Sequence, residues 1–262
     1  MIKFLILGGD GMLGHQLLLH FEKVQEVEVK VTLRGGFEVY EGYKIFNTNN
    51  SIYKIDAHDF PSLERAINTY KPDVILNAIG IVKQRLLSKE IVPSLTINSL
   101  LPHKLAAFCD SINTRFITIS TDCVFSGNKG NYNEEDKCDV SDLYGVSKYY
   151  GEVNDDNTLT LRTSIIGLEL TRKASLVEWF LAQSGSVNGF TKAIYSGFTT
   201  LEFCRIIEKL ILTFPKAKGL YHVSMNPISK FDLLSVFANY LTKEIVLNKD
   251  EDFSCDRSLN SD

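Results

Sequence analysis

The chain is expected to fold as an α/β protein with a doubly wound parallel sheet, and three features of its 262 residues point there. Short apolar runs recur: IKFLIL at 2–7, VEVKVTL at 27–33, DVILNAI at 73–79 and RFITIS at 115–120. Their length and continuity suit strands buried on both faces. Helical spacing separates them, as with Leu13, Leu17, Phe21 and Val24 between the first two runs. The first run also passes directly into a glycine-rich turn, and strand, helix, strand in succession is how a parallel sheet is built.

Taken in order, further helices are expected at 61–70, opened by Pro61, then at 93–110, 142–154, 174–183, 199–213 and 228–241. Turn residues concentrate in the loops 34–50 and 126–142. No repeat or low-complexity segment interrupts the pattern. A formal charge of −4 and a pI near 5.8 give no basic footprint for nucleic acid or an anionic membrane. Five scattered cysteines without a C-x-x-C read as reduced thiols, not as a disulfide frame or zinc site, and the five histidines show no metal spacing. MIKFLILGGDG lacks the length and cleavage site of a signal peptide, and no apolar stretch is long enough to span a membrane. A cytoplasmic enzyme without metal is the expectation.

The first strand runs into Gly8-Gly9-Asp10-Gly11-Met12-Leu13-Gly14, which then opens a helix. Glycines suit that place because the chain turns sharply, a diphosphate approaches the backbone closely, and the helix packs tightly on the sheet. Its first N–H groups and positive dipole end then face the phosphates. Strand before, amphipathic helix after, and a βαβ unit of fitting length make this a dinucleotide site. The second strand ends in Thr32-Leu33-Arg34, where an acid would accept from a ribose hydroxyl and repel a 2′-phosphate. A guanidinium there favours NADP(H) over NAD(H); the alternative is a solvated loop arginine.

Tyr144 and Lys148 in LYGVSKYYGE stand four apart, as do Tyr40 and Lys44, so the spacing alone decides nothing. Context separates them. The first pair follows a plausible cap at Ser141-Asp142 on an expected helix, where positions i and i+4 share a face, whereas the second lies in a loop with Gly35, Gly36 and Gly42. A phenol near pKa 10 is a poor acid-base group at neutral pH, and a neighbouring ammonium is expected to bring it closer to working range. Thr121, at the end of RFITIST, is the candidate to orient the reacting oxygen.

Together LGGDGMLG, DVILNAIG, STDCVFSG, YGVSKYYGE and LRTSIIG resemble the extended short-chain dehydrogenase/reductase superfamily, and most of all its dTDP-4-dehydrorhamnose reductase group. There similar stretches run GxxGMLG, NxAA, STDYVFDG, YGxTKxxGE and LRTSWVYG. SGFTTLEF and GLYHVS extend the resemblance over nearly the whole chain. It implies a Rossmann-type NADP(H)-binding domain at 1–163, to which 191–218 returns, and a smaller C-terminal substrate-binding lobe from 164–190 and 219–262. Thr121, Tyr144 and Lys148 would form a triad: Tyr144 protonates a sugar ketone, Lys148 holds the ribose hydroxyls, and Thr121 hydrogen-bonds the ketone. Gly8, Gly11, Met12 and Leu13 would line the diphosphate, Asp56 and Ala57 would meet adenine, and Ala78, Ile79 and Gly80 would lie under the coenzyme. For Asp56 a local loop-capping role is the competing reading.

Lys83, Arg172, Lys192 and Arg257 are the candidate cations for a substrate diphosphate, with Lys83 and Arg257 placed first, and each competes with a reading as a surface charge. Cys123 replaces the tyrosine of STDYVF and lacks a basic partner in its segment that would make it a nucleophile. The implied activity is NADPH-dependent reduction of a dTDP- or UDP-linked 4-keto-6-deoxy sugar on the way to a surface polysaccharide. A dehydratase would want glutamate where Cys123 stands. An epimerase stays open, as does a non-catalytic NADP-binding subunit like that of methionine adenosyltransferase. A homodimer is compatible with the sequence, and the C-terminus at CDRSLNSD reads as short or truncated relative to the group.

Overall fold

The computed structural model describes residues 1–83, 86–241 and 244–261, so 242, 243 and 262 of the expected lobe lie outside the described residues. Twelve strands appear among them: β1 Ile2–Leu7, β2 Val27–Thr32, β3 Ser51–Ile52, β4 Val74–Asn77, β5 Arg115–Thr121, β6 Thr158–Thr163, β7 Ile165–Ile166, β8 Gly185–Tyr195, β9 Phe198–Thr199, β10 Gly219–His222, β11 Ile228–Ser229 and β12 Ile245–Asp256. The helices are α1 Met12–Phe21, α2 Phe37–Tyr40, α3 Phe60–Tyr70, α4 Ile91–Ser94, α5 Leu101–Ser111, α6 Leu143–Tyr149, α7 Leu176–Leu181, α8 Thr200–Leu212 and α9 Lys230–Tyr240. None is long and apolar enough to cross a membrane.

Seven strands form one sheet in the order β10-β6-β5-β4-β1-β2-β3, every neighbouring pair parallel. This is the doubly wound architecture expected. The continuous apolar runs are explained by burial on both sides: Phe4 and Ile6 face a cluster with Leu17, Phe21 and Phe203, while Leu5 and Leu7 face another with Leu63, Ile67 and Leu105. Strand order reverses between β1 and β4, and ligands of such sheets lie beyond the carboxyl ends at that reversal. There Gly8 follows β1 and Ala78 follows β4.

A second, three-stranded sheet, β11-β8-β12, packs against α7 and α9 around Phe180, Val187 and Leu234. The lobe boundary needs two corrections. Residues 191–195, placed in the main domain by sequence, are the end of β8 and pair with β11 and β12 in the smaller sheet. Gly219–His222, placed in the lobe by sequence, is the seventh strand of the main sheet and pairs with β6 from Gly219↔Leu159 to His222↔Arg162.

The helix expected at 93–110 spans 91–111 but carries a π-helical stretch at Leu95–Leu100. Pro102 supplies the cause: it has no N–H to give the Asn98 carbonyl, and its ring crowds that position. The helix expected at 142–154 stops at Tyr149. Gly151 passes so close to the Asn98 backbone that a Cβ there would lie 1.8 Å from its carbonyl oxygen, so the chain turns away instead of coiling on.

Candidate active site

Each site element sits at the carboxyl edge of the main sheet. Gly8 has a φ of +88°, and a Cβ on it would come within 2.9 Å of Ile79 Cγ1; one on Gly14 would strike the Gly8 carbonyl oxygen at 2.1 Å. The turn is pinned to β2 through Thr32, whose Oγ1 accepts from Gly8 N at 3.1 Å and whose carbonyl accepts from Gly9 N at 2.9 Å. Gly11 caps α1 with no side-chain acceptor, which leaves the N–H groups of Met12, Leu13 and Gly14 directed at the reversal point. This bare, side-chain-free cradle fits a diphosphate. Ala78, Ile79 and Gly80 line its other wall: Ala78 N donates to Leu7 O at 3.0 Å and Ile79 N to Asn77 Oδ1 at 3.1 Å.

Arg34 reaches across the loop to Asp56, Nε and Nη2 each 3.1 Å from Oδ2. The other Asp56 oxygen accepts from His58 N at 3.0 Å, so the acid both turns its own loop and holds the arginine. Ala57 packs beside them on the α3 side of the sheet. Arg34 is largely exposed, its outer edge free of the carboxylate.

Thr121 ends β5 and caps the turn Asp122–Val124, its Oγ1 accepting from Cys123 N at 3.1 Å. Asp142 caps α6 in the same manner, its Oδ1 accepting from Gly145 N at 3.1 Å. Gly145 permits the approach, since a Cβ there would meet the Cys123 carbonyl at 2.2 Å. Between these caps lies the buried Tyr144 phenol, with the Thr121 side chain acting to lower its pKa. One turn along α6, Lys148 Nζ donates to Ile119 O at 2.6 Å. Thr121, Tyr144 and Lys148 are therefore brought together at one strand end.

Their protonation departs from the sequence expectation. Burial pushes the Tyr144 phenol up, reinforced by Cys123, Asp122 and Asp142 and opposed only by Thr121. Burial outweighs the nearby Lys148, whose Nζ donates to Ile119 O and whose own pKa burial lowers to about 8. The phenol is thus held as a proton donor. Burial likewise pushes the Cys123 thiol up to about 12, which removes it as a nucleophile.

The candidate substrate cations divide. Arg257 enters the site, Nε on Phe125 O at 2.8 Å and Nη1 3.7 Å from Cys123 Sγ. Lys83 is tied to Asp142 Oδ2 at 3.1 Å. Burial alone would raise that carboxyl, but the Gly145 N–H and the Lys83 ammonium hold it low. Lys192 pairs instead with Glu251 on the smaller sheet, and Arg172 stands in solvent.

Two further residues shape the site, and the first carries no local signal in the sequence. Asn98, on the π-helical stretch, binds Ile81 N through Oδ1 at 2.8 Å, Ile81 O through Nδ2 at 3.0 Å, and Ser147 Oγ at 3.1 Å. It thereby fastens the wall after β4 to α6. Asp122, buried beneath Thr121 and accepting from its hydroxyl at 3.1 Å, has its carboxyl raised by burial.

Known proteins resemble this chain in sequence and in fold. The spore coat polysaccharide biosynthesis protein SpsK of Bacillus subtilis is 25% identical over 247 residues, covering 87% of this chain and 75% of that protein. A structure described as a hypothetical dTDP-4-dehydrorhamnose reductase from Sulfolobus tokodaii superposes with a TM-score of 0.80 at 26% identity, over 99% of this chain and 92% of the other. A dTDP-4-dehydrorhamnose reductase from Bacillus anthracis, solved in complex with NADP, shares the fold with a TM-score of 0.79 at 20% identity, over 100% and 90%. The family described as the RmlD substrate binding domain matches residues 2–183, and the chain belongs to that family.

Proposed function

We propose that this protein is an NADPH-dependent reductase of a nucleotide-activated 4-keto-6-deoxy sugar, acting in the assembly of a surface polysaccharide. The observation that carries the proposal is a phenol, kept protonated by burial near a strand-end threonine, at the same sheet edge as an uncapped glycine cradle. When bound, the reduced nicotinamide supplies a hydride to the carbonyl carbon. Tyr144 gives its proton to the ketone oxygen and Thr121, on turning its hydroxyl from Asp122 to the same atom, donates a hydrogen bond to it, so the charge that develops there is neutralised. Lys148 remains an ammonium at neutral pH and holds the ribose hydroxyls. Arg34, oriented by Asp56, offers its outer edge to a 2′-phosphate, which favours NADPH. Arg257 and Lys83 flank the entrance for the sugar diphosphate. The polysaccharide setting is supported by the SpsK likeness.

The test is to mix the protein with NADPH and a panel of dTDP- and UDP-4-keto sugars while following the reduced-nicotinamide band. Consumption by wild type but not by Tyr144→Phe is expected with at least one sugar, and NADH should serve less well. Failure of every sugar, with no rise in melting temperature when sugar nucleotides are added to the NADP-bound protein, would defeat the proposal.

A further inference from the structure

Behind α6 lies a buried ion pair that plays no part in the proposed proton and hydride transfers. Arg162 on β6 gives Nε to Glu152 Oε1 at 2.8 Å and Nη2 to Oε2 at 2.7 Å, and the two side chains are only 5% and 6% exposed. Three polar residues in register form a row across the sheet: Ser120 on β5 pairs with Arg162, and Arg162 with His222 on β10. Ser120 Oγ donates to Glu152 Oε1 at 2.6 Å. Arg162 is held from its far side as well, lying over the Phe125 ring at 5.3 Å, with Nη1 3.2 Å from His222 Nε2. His222 Nδ1 faces two carbonyls, Tyr132 O at 3.0 Å and Asn260 O at 3.1 Å, so the proton is assigned to Nδ1 and Nε2 accepts from the guanidinium. The pair is locked in place from every side.

Glu152 follows Lys148 by four residues, through a turn in which Gly151 N donates to Lys148 O and Glu152 N to Tyr149 O, each at 3.1 Å. The ammonium rests on Ile119 and the carboxylate on Ser120, adjacent residues of one strand. We propose that Glu152, fixed by Arg162 and Ser120, is a positioning residue that supplies the permanent negative charge keeping Lys148 an ammonium in a buried site.

The other groups around Lys148 are poorly suited to that role. Its own helix offers Tyr144, neutral and buried. The turn after β5 offers Asp122 and Cys123, whose charged forms burial disfavours. The π-helical stretch offers only neutral Asn98 and Ser99. Beyond Glu152 stand Arg162, His222, Glu134 and Cys138, grouped around the guanidinium. Burial drives Lys148 down, and the Glu152 charge is what opposes it. This inference takes its functional meaning from the proposed coenzyme role of Lys148, but its test does not need that role.

In coenzyme-free protein labelled at lysine Cε, the Lys148 resonance, identified by its loss in Lys148→Arg, should titrate near pH 8. Glu152→Gln should lower that midpoint by about one pH unit, and Glu152→Asp should restore most of it. Because Glu152→Gln leaves a buried guanidinium unpaired and can compromise folding, Glu152→Gln/Arg162→Gln, which removes both charges, is the second variant and should show a smaller shift in the same direction. A folded variant of either kind that titrates at the wild-type midpoint overturns the proposal. NADP affinity measured against pH then separates the two ideas. If wild type binds NADP and its high-pH loss of affinity moves down by the same unit in the variant, both stand; if wild type does not bind, the coenzyme reading falls while the titration still decides the role of Glu152.

Discussion

Two tyrosine–lysine pairs with identical spacing meet opposite fates in this molecule. Tyr144 and Lys148 lie on one helix, the phenol buried near Thr121 and the ammonium on Ile119 O. Tyr40 ends the short α2, after which the chain tightens into a 3₁₀ turn and Lys44 adopts a left-handed φ of 58°. The helical face that would have joined them is lost. Tyr40 turns inward, giving its hydroxyl proton to Asp10 Oδ2 at 3.1 Å and accepting from Gly35 N at 3.3 Å, while Lys44 stays exposed. Spacing becomes chemistry only where an uninterrupted backbone carries it and a strand end receives both groups. Tyr40 is not idle, however, since through these two bonds it braces the glycine turn against the loop that carries Arg34.

That contrast can be broken in four ways. The largest effect is expected from Tyr144→Phe, which should lower kcat by about 10²–10⁴-fold with coenzyme affinity retained, whereas Tyr40→Phe should leave kcat within about twofold; steady-state kinetics of both variants decide it. Lys148→Met should cost about 10²-fold in activity and yet raise the melting temperature. The sign follows from linkage. With its pKa lowered from 10.5 to about 8, the lysine binds more protons unfolded than folded between those values, so stability rises with pH from about 8 to 10.5 and the ammonium destabilises the fold below 8. Thermal melts across pH 7–10 should show wild type approaching the variant as pH rises, while activity that depends on the ammonium fades above about 8. Tyr40→Phe should lower stability by about 1–2 kcal/mol in urea titrations through the two lost hydrogen bonds, and should weaken NADPH binding more than kcat. Lys44→Ala should change stability by less than about 0.5 kcal/mol and activity not measurably.

The main sheet was legible because its first strands are buried on both sides and read as unbroken apolar runs. The glycine turn and the α6 cap were legible because their backbone geometry demands particular residues. β6 was not: TLTLRT alternates as a half-exposed strand would, yet every residue is buried, its polar positions absorbed by Val153 O, Glu152 and neighbouring strands. Thr158 Oγ1 is buried with no hydrogen-bond partner, a cost for which the structure shows no compensation. The smaller sheet escaped notice because β12 is exposed along most of its length and β8 along its first turns, so no clean period survives. Asn98 was hidden for a different reason. Its role lies in bonds to Ile81 and Ser147, residues 17 and 49 positions away along the chain. The lowered phenol pKa was expected from proximity to Lys148, and burial outweighed it.

The return of Gly219–His222 to the main sheet has a consequence for how the chain can be cut. β10 covers the outer border of β6, and His222 closes the row that holds Arg162. A fragment ending at residue 183, where the family match stops, would keep the glycine turn and α6 and still strip β6 of its neighbour, leaving a bare ribbon of unpaired amides beside an open guanidinium. Such a piece is expected to self-associate, so the last third of the molecule is a structural partner of the first and not an appendage to it.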